Sequence, residues 1–320
     1  MTFSVLGAGV AGLCCATMLA EAGLEVEVID SQPDPQGASW FAGGMLAPFC
    51  EGESAPAEVG RLGRDAADWW AARVPGVVRA GTLVVAPPRD GAELTRFAAR
   101  TEGNEQVDAA RIAALEPELA GRFERGLFFA GEAHLDPRVA MVALIDRLRG
   151  MGAALHFGEG AAPQGQVIDC RGLAAREVVP GLRAVRGEMI VLRSADVSLS
   201  RPVRLLHPRF PLYVVPRADG HFMIGATMVE SDHDGPVTAR AAMELLSAAF
   251  TLHPAFAEAG IVELGAGLRP AFADNIPAIR YSGDGIHVNG LYRHGFLTAP
   301  ALARQLVADL TQSGEVRHAS

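Results

Sequence analysis

The strongest constraint on the fold lies in the first thirty residues. Phe3-Ser4-Val5-Leu6 reads as a short apolar strand, followed by Gly7-Ala8-Gly9-Val10-Ala11-Gly12. A helical run then continues to Ala22, with Leu13, Ala16, Leu19 and Ala20 on its apolar side. Gly23 closes that helix, and Glu25-Val26-Glu27-Val28-Ile29 forms a second strand ending at Asp30. In a chain with 36 glycines a bare GxGxxG carries little weight. Its place between a strand and a helix, with an acid at the tip of the next strand, makes it a dinucleotide-binding βαβ unit. Gly7 makes the tight turn, Gly9 lets the backbone approach a pyrophosphate, and Gly12 lets helix and strand pack closely. The helix N-terminus offers free N–H groups and a positive dipole end to the phosphates. Asp30 is placed to accept hydrogen bonds from the adenosine ribose and to repel a 2′-phosphate. Ser31 and Gln32 supply no arginine to offset that repulsion, which argues against NADP.

The rest of the chain bounds the function classes. Its 320 residues are 49% hydrophobic and 20% charged, enough for one large core or two smaller ones sharing a cleft, and unlike a disordered chain. A net charge of -9 with pI near 5.5 gives no global field for nucleic acid or anionic lipid. The 28 basic residues are all arginine and are scattered without a basic block. No apolar run reaches the ~18 residues of a membrane span. Cys14, Cys15, Cys50 and Cys170 make no CxxC pair, and the adjacent Cys14 and Cys15 are expected to be small hydrophobes on a buried helix. The nine histidines show no metal spacing, so no metal is expected. Only Met1 and Thr2 precede the first strand, which leaves no signal peptide and makes the cytoplasm the expected compartment.

Two later segments decide the cofactor. Gln166-Val167-Ile168-Asp169-Cys170-Arg171-Gly172 is an apolar strand ending in an acid and a glycine. Gly290-Leu291-Tyr292-Arg293-His294-Gly295-Phe296-Leu297-Thr298-Ala299-Pro300 runs into a final helix with Leu302, Leu306, Val307 and Leu310 on its apolar side. Pro300 is placed in the first turn of that helix, where a missing N–H costs nothing. With these segments the chain resembles the D-amino-acid-oxidase-like FAD family, and within it the glycine oxidases of thiamine biosynthesis. The resemblance covers nearly the whole chain. Ala38-Ser39-Trp40-Phe41-Ala42-Gly43-Gly44-Met45-Leu46-Ala47-Pro48 is similar to the family's flavin-facing loop. There Gly43 and Gly44 would let backbone lie against the ring. His134-Leu135-Asp136-Pro137-Arg138 resembles the entry to the central helix, with Asp136 as N-cap and Pro137 at N1. Tyr213-Val214-Val215-Pro216-Arg217, Gly225-Ala226-Thr227-Met228 and Gly267-Leu268-Arg269-Pro270 follow in family order.

The resemblance implies an α/β fold: a Rossmann-type FAD-binding domain with a second, mixed-sheet α+β substrate domain. The FAD-binding domain is expected to be discontinuous, over 1–79, 131–186 and 264–320, with the substrate domain over 80–130 and 187–263. Strands are expected at Met189–Leu192, Leu212–Val215 and Phe222–Gly225, and a hairpin turn at Asp219-Gly220. Thr238 reads as the N-cap of a helix Ala239–Leu252 that His253-Pro254 ends. A helix over Ala57–Val74 carries Trp69 and Trp70, read as packing residues. The chain is shorter than typical members, mostly in the middle, which leaves the contacts of a homo-oligomer open. All four cysteines precede residue 171, so FAD is expected to be non-covalent.

No second dinucleotide motif occurs, so an organic substrate is expected to reduce the flavin. Amine oxidation then rests on positioning and on cofactor electronics. The resemblance implies that Arg269 binds the substrate carboxylate, Tyr213 adds a hydroxyl hydrogen bond, Met228 packs beside the substrate and Arg293 lies near the pocket. It implies cofactor contacts from Ser39, Gly43, Gly44, Met45, Gly172, Arg293, His294, Gly295, Phe296, Leu297 and Thr298, beside the Gly7–Gly12 loop and Asp30. The helix end near Thr298 would aim its positive pole at the flavin pyrimidine. His294 would influence oxygen reactivity or simply fix the loop. The favoured reading is FAD-dependent oxidation of glycine by oxygen, its imine hydrolysed to glyoxylate or supplied to a thiazole synthase partner. The alternatives are a D-amino acid or sarcosine dehydrogenase passing electrons to a quinone, and a flavin-binding subunit of a heteromeric complex.

Overall fold

In the computed structural model of the chain, residues 2–34, 37–158, 160–207, 211–283 and 285–312 are described. The chain runs β1 (Thr2–Leu6), α1 (Val10–Glu21), β2 (Glu25–Asp30), β3 (Met45–Leu46), α2 (Ala57–Gly63), α3 (Ala66–Ala71), β4 (Thr82–Val85) and α4 (Gly91–Arg100). It continues through β5 (Glu105–Asp108), α5 (Ala109–Leu115), β6 (Arg125–Phe129), β7 (Ala133–His134), α6 (Pro137–Gly150), β8 (Ala154–Phe157), β9 (Gln166–Asp169) and β10 (Arg183–Arg193). Then come β11 (Val203–Leu205), β12 (Leu212–Pro216), β13 (His221–Gly225), β14 (Val229–Glu230) and α7 (Ala239–Leu252). The last elements are β15 (Gly260–Ala271), β16 (Ala278–Ser282), β17 (Gly285–Asn289) and α8 (Gly295–Gln312).

Two large sheets carry the fold. The first has the order β16-β17-β9-β1-β2-β8, parallel except for the antiparallel edge strand β16. Phe3, Ser4 and Val5 are fully buried in β1, as a central strand of a parallel sheet with both faces covered must be. Helix α1 is buried along most of its length because α6 and α8 pack against it, which explains why its sequence is apolar on more than one side. Gly12 has no room for a side chain, since a Cβ would lie 1.8 Å from the Gly7 carbonyl oxygen.

The second sheet has the order β14-β10-β13-β12-β11-β4-β6-β5, with β15 paired to β10. Most of its pairs are antiparallel, and β11 runs parallel to β4, so it is mixed. Period-2 alternation divides its side chains between two faces. Leu83, Val85, Ile190, Leu192, Val203, Leu205, Leu212, Val214 and Ile224 point one way, into a core closed by Leu245, Ala249 and Leu252 of α7. Met189, Tyr213, Val215 and Met223 point the other way, toward Phe41 and Met45. The α/β class with a Rossmann-type sheet and a mixed second sheet is the fold expected from the sequence. Strands β10 and β15 run across the positions 186/187 and 263/264, and we propose those boundaries as the places where the chain passes between two domains.

Local chemistry explains several elements. Asp136 and Thr238 cap α6 and α7 by accepting the backbone N–H groups of Arg138 (2.9 Å) and Ala241 (3.2 Å). Asp219 and Gly220 both take positive φ between β12 and β13. Two expectations are corrected. The helix expected over Ala57–Val74 breaks into α2 and α3, because Asp65 leaves helical geometry and starts the second piece. Pro300 lies in the second turn of α8 rather than the first, because that helix already begins at Gly295, with the Thr298 N–H bonded to the His294 carbonyl at 2.9 Å. Trp69 and Trp70 are buried on α3 and pack edge to face. Among the described residues no helix is long and apolar enough to cross a membrane.

Candidate active site

The dinucleotide loop sits where β1 meets α1. Gly9 caps the helix without a side chain, and the N–H groups of Ala11 and Gly12 have no acceptor among the described residues. Two other N–H groups are already claimed: Ala8 donates to Asp30 Oδ2 at 2.7 Å and Val10 to Ser39 Oγ at 3.1 Å. Asp30 also accepts from the Gln32 N–H at 2.9 Å, so its carboxylate is fixed at the tip of β2 beside the loop. Gly172 follows β9, and its carbonyl accepts from Asn289 Nδ2 at 2.9 Å, tying the ends of β9 and β17 together. Open N–H groups, a helix pole and a fixed acid on the ribose side are the donor set that an FAD pyrophosphate and adenosine require, so these residues fit the cofactor.

The loop from Ala38 to Pro48 joins this region to the second sheet. Arg217 holds it by donating to the carbonyls of Leu135 (2.5 Å), Gly43 (2.9 Å) and Ala42 (3.3 Å). Arg138 donates to the Trp40 carbonyl at 3.2 Å and forms a bidentate pair with Glu263 of β15, at 2.8 Å for each bond. Gly43 lies against the Tyr213 ring, where a Cβ would come within 2.8 Å of Cε2. Its missing side chain therefore makes room for Tyr213. Met45 packs in the same cluster.

Register places the expected substrate residues on one face. Arg204, Tyr213, Gly225, Met189 and Gly265 are successive cross-strand neighbours from β11 to β15. Gly267 and Arg269 continue that face along β15. Arg269 passes over Gly187, where a Cβ would be 2.0 Å from the guanidinium. Its Nη1 donates to the Thr227 carbonyl at 3.0 Å, and it has no ion pair among the described residues. Burial lowers its pKa, with Tyr213 and Tyr292 opposing, and the group is still charged at neutral pH. Burial raises the Tyr213 pKa, with the charges of Arg269 and Arg293 pulling it back, so Tyr213 presents a neutral hydroxyl.

Arg293 is differently placed from Arg269. Its Nη2 donates to Glu51 Oε2 at 2.5 Å and to Ser54 Oγ at 3.0 Å, and its Nη1 meets Met228 Sδ at 3.2 Å. Met228 also receives the Tyr292 hydroxyl at 3.4 Å and is 51% exposed, at the rim of the group. Tyr292 holds φ at +50°, unusual for a bulky residue, while its N–H bonds to the Pro270 carbonyl at 2.8 Å. His294 Nε2 lies 2.9 Å from Glu51 Oε2 and 3.2 Å from Arg293 Nε. The contact to the carboxylate is the shorter and charge-assisted one, so Nε2 carries the proton and Nδ1 is left buried without a partner. Burial keeps His294 below its usual pKa, against Glu51, and the ring is neutral. Burial alone would raise Glu51, but Arg293, His294 and Arg204 hold its carboxyl well below the usual range.

Tyr213, Met228, Arg269 and Arg293 thus come together, with His294 behind Arg293. Gly295, Phe296 and Leu297 begin α8 beside them. The Thr298 N–H and Oγ1 both donate to the His294 carbonyl. The sequence reading missed Glu51, Arg204 and Tyr292. Only Tyr292 stood within a motif already singled out, and nothing in composition or spacing distinguished Glu51 or Arg204. A separate groove of about 570 Å³ between α4 and strands β5 and β6, lined by Leu94, Ala98, Gln106 and Arg125, contains none of these residues.

Comparison with known proteins places the chain in one family. A family model described as FAD dependent oxidoreductase, DAO, matches residues 3–310. The thiamine biosynthesis oxidoreductase ThiO of Rhizobium etli is 55% identical over 321 residues, covering 98% of each chain. The glycine oxidase of Pseudomonas aeruginosa is 32% identical, covering 97% of this chain and 94% of that one. The solved glycine oxidase of Geobacillus kaustophilus superposes with a TM-score of 0.80 at 24% identity, over 97% of this chain and 94% of that chain.

Proposed function

Because the chain belongs to the DAO family of FAD-dependent oxidoreductases, we propose that it oxidises a small amino acid, glycine first, with dioxygen as the final electron acceptor. The carrying observation is Arg269, a half-buried guanidinium on the Tyr213 face with no carboxylate partner among the described residues. Such an open fork of donors, partly out of water, is completed by a bound carboxylate. A glycine carboxylate has few other contacts to offer, so this pair would both bind and orient the substrate.

The Gly7–Gly12 loop, Asp30, Ser39 and the start of α8 would hold FAD non-covalently. When bound, FAD supplies a two-electron acceptor for the hydride that leaves the substrate Cα. The chain's own residues do the rest by position. Arg269 takes the carboxylate, and Tyr213 donates its hydroxyl hydrogen bond to the same end of the substrate. Glu51 fixes Arg293 and orients the His294 ring, which burial keeps neutral. Glycine loses two electrons and two protons to give its imine, and dioxygen takes both to give hydrogen peroxide. Water then hydrolyses the imine to glyoxylate and ammonia, unless a thiazole synthase receives it first. The names of the Rhizobium etli and Pseudomonas aeruginosa relatives support this reading.

The test is anaerobic mixing of the yellow holoprotein with glycine, sarcosine and D-alanine, followed by air. Bleaching by glycine and stoichiometric peroxide on reoxidation are expected. A flavin that no amino acid reduces overturns the reading, and reduction without peroxide overturns oxygen as the acceptor.

A further inference from the structure

We propose that the site accepts amino acids carrying a second carboxylate, and that Arg204 is the side chain that reads it. The proposal rests on the amino-acid oxidase reading above and narrows its substrate class. Three arginines lie around Tyr213, Arg204 buried and Arg269 and Arg293 half-buried, and their donors are used differently. Arg293 is claimed by Glu51 and Ser54. Arg269 spends one donor on the Thr227 carbonyl and leaves its fork open for the α-carboxylate. Arg204, directly across the strand pair from Tyr213, is 9% exposed, and its side chain makes no hydrogen bond among the described residues.

The nearest carboxylates do not complete Arg204. Glu51 Oε1 lies 3.7 Å from Nη1 and Glu53 Oε2 lies 3.8 Å from Nη2, both beyond hydrogen-bond reach. Glu51 is already satisfied by Arg293 and His294, and Glu53 also pairs with Arg100 at 3.4 Å. Arg100, Arg204, Arg269 and Arg293 therefore outnumber the two acids. The guanidinium stacks 5.2 Å over the Phe97 ring, which holds it in place while its N–H edge is unspent. A planar fork of donors in this state is built for a carboxylate. With the α-carboxylate on Arg269, a second acid group on the far side of the Tyr213 ring would meet Arg204.

Iminodiacetate carries that group on nitrogen and D-aspartate carries it on the β-carbon; sarcosine and D-asparagine are their uncharged counterparts. Oxidation of iminodiacetate by dioxygen, with water, would release glyoxylate, glycine and hydrogen peroxide. The holoprotein is assayed with each pair, in the parent and in Arg204→Met and Arg204→Lys. The parent is expected to favour at least one diacid over its counterpart by about 10- to 100-fold in kcat/KM, the worth of one charge-assisted pair. Arg204→Met should abolish that ratio and Arg204→Lys should restore part of it. Malonate should perturb the flavin spectrum of the parent at a lower concentration than acetate, and Arg204→Met should narrow that gap. A parent indifferent between acid and counterpart overturns the proposal, whatever the variants do. So does an Arg204→Met that slows both members of each pair equally, since Arg204 would then serve only to fix Glu51 and Glu53. Bleaching by sarcosine or glycine without a diacid preference defeats this proposal alone, whereas no bleaching by any amino acid defeats the reading beneath it.

Discussion

Trp70 Nε1 donates at 2.7 Å to the carbonyl of Phe296, the one acceptor in α8 that Pro300 deprives of its helical partner. A proline six residues into a helix removes the N–H that would have reached back four residues. Here an indole from α3 supplies the missing donor, and its ring stacks 5.4 Å from that of Phe296. The start of α8, beside Arg293 and His294, is therefore braced from a separate helix.

Trp70→Phe keeps most of the ring and removes the donor, so it should cost about 1–3 kcal/mol for the unsatisfied buried carbonyl plus some lost packing. In a Pro300→Ala background residue 300 can donate to Phe296 itself, and the same change should cost less. A double-mutant cycle by urea unfolding measures the coupling. Equal costs in the two backgrounds would show that the indole N–H does not substitute for the proline's missing donor.

Neither partner of that bond could be paired from sequence. Pro300 reads as a first-turn proline because the start of α8 depends on the His294 carbonyl capturing the Thr298 N–H, a contact with no motif of its own. The βαβ unit was legible because turn glycines, apolar periodicity and a terminal acid all act over short range. The caps Asp136 and Thr238 and the Asp219-Gly220 turn were legible for the same reason. Arg204 was not. Alternating with Val203 and Leu205, it reads as the solvent side of a half-buried strand. That face is covered by residues more than a hundred positions away, among them Glu51 and Phe97. Glu51 was hidden likewise, since its partners Arg293 and His294 lie some 240 residues downstream.

Two carboxyls near the loop at Cys50, Glu132 buried and Glu51 half-buried, should respond to pH with opposite signs. Glu132 is 1% exposed and accepts the N–H groups of Phe49 (3.1 Å) and Cys50 (2.7 Å). Burial pushes its pKa from 4.5 to about 7, against the hydrogen bonds of Thr82 and Cys50. The folded state then binds more protons than the unfolded one between those values. Its contribution to stability is full below the unfolded value and is lost as pH rises through about 7. The loss is up to about 3 kcal/mol. Glu132→Gln keeps an acceptor for both N–H groups and removes the titration, so its unfolding free energy should fall less between pH 5 and 8 than the parent's. Parallel pH profiles would show that Glu132 is ionised throughout.

Glu51 is the reverse case. Its folded pKa lies below its ordinary value, so its contribution is present above that value and is lost as pH falls through the depressed one. Glu51→Gln leaves Arg293 and His294 facing a neutral amide. It should destabilise the protein by about 3 kcal/mol at pH 7, near the lower end for a broken buried pair. The gap between variant and parent should narrow as pH drops below the usual carboxylate range. A gap that stays constant into acid would mean that Glu51 carries no depressed pKa.

The most discriminating prediction concerns Arg269. Its guanidinium is half-buried on the Tyr213 face, contacts the protein through the Thr227 carbonyl, and has no acid partner among the described residues. If it binds the substrate carboxylate, Arg269→Ala removes a bidentate charge-assisted pair from a partly dry pocket, a loss of roughly 3–5 kcal/mol. Catalytic efficiency with glycine should fall by about 10² to 10³ or more, because the misplacement of Cα adds to the lost binding. FAD should stay bound, since none of the Gly7–Gly12 loop, Asp30 or Ser39 contacts involves Arg269. The measurement is anaerobic flavin reduction by glycine, fitted for rate and affinity, with the visible spectrum reporting retained cofactor. Removing a structural arginine would unsettle the fold and the flavin together, whereas removing a substrate ligand should spare both. A variant that holds its flavin and is reduced by glycine at the parent's rate and affinity would place the carboxylate elsewhere.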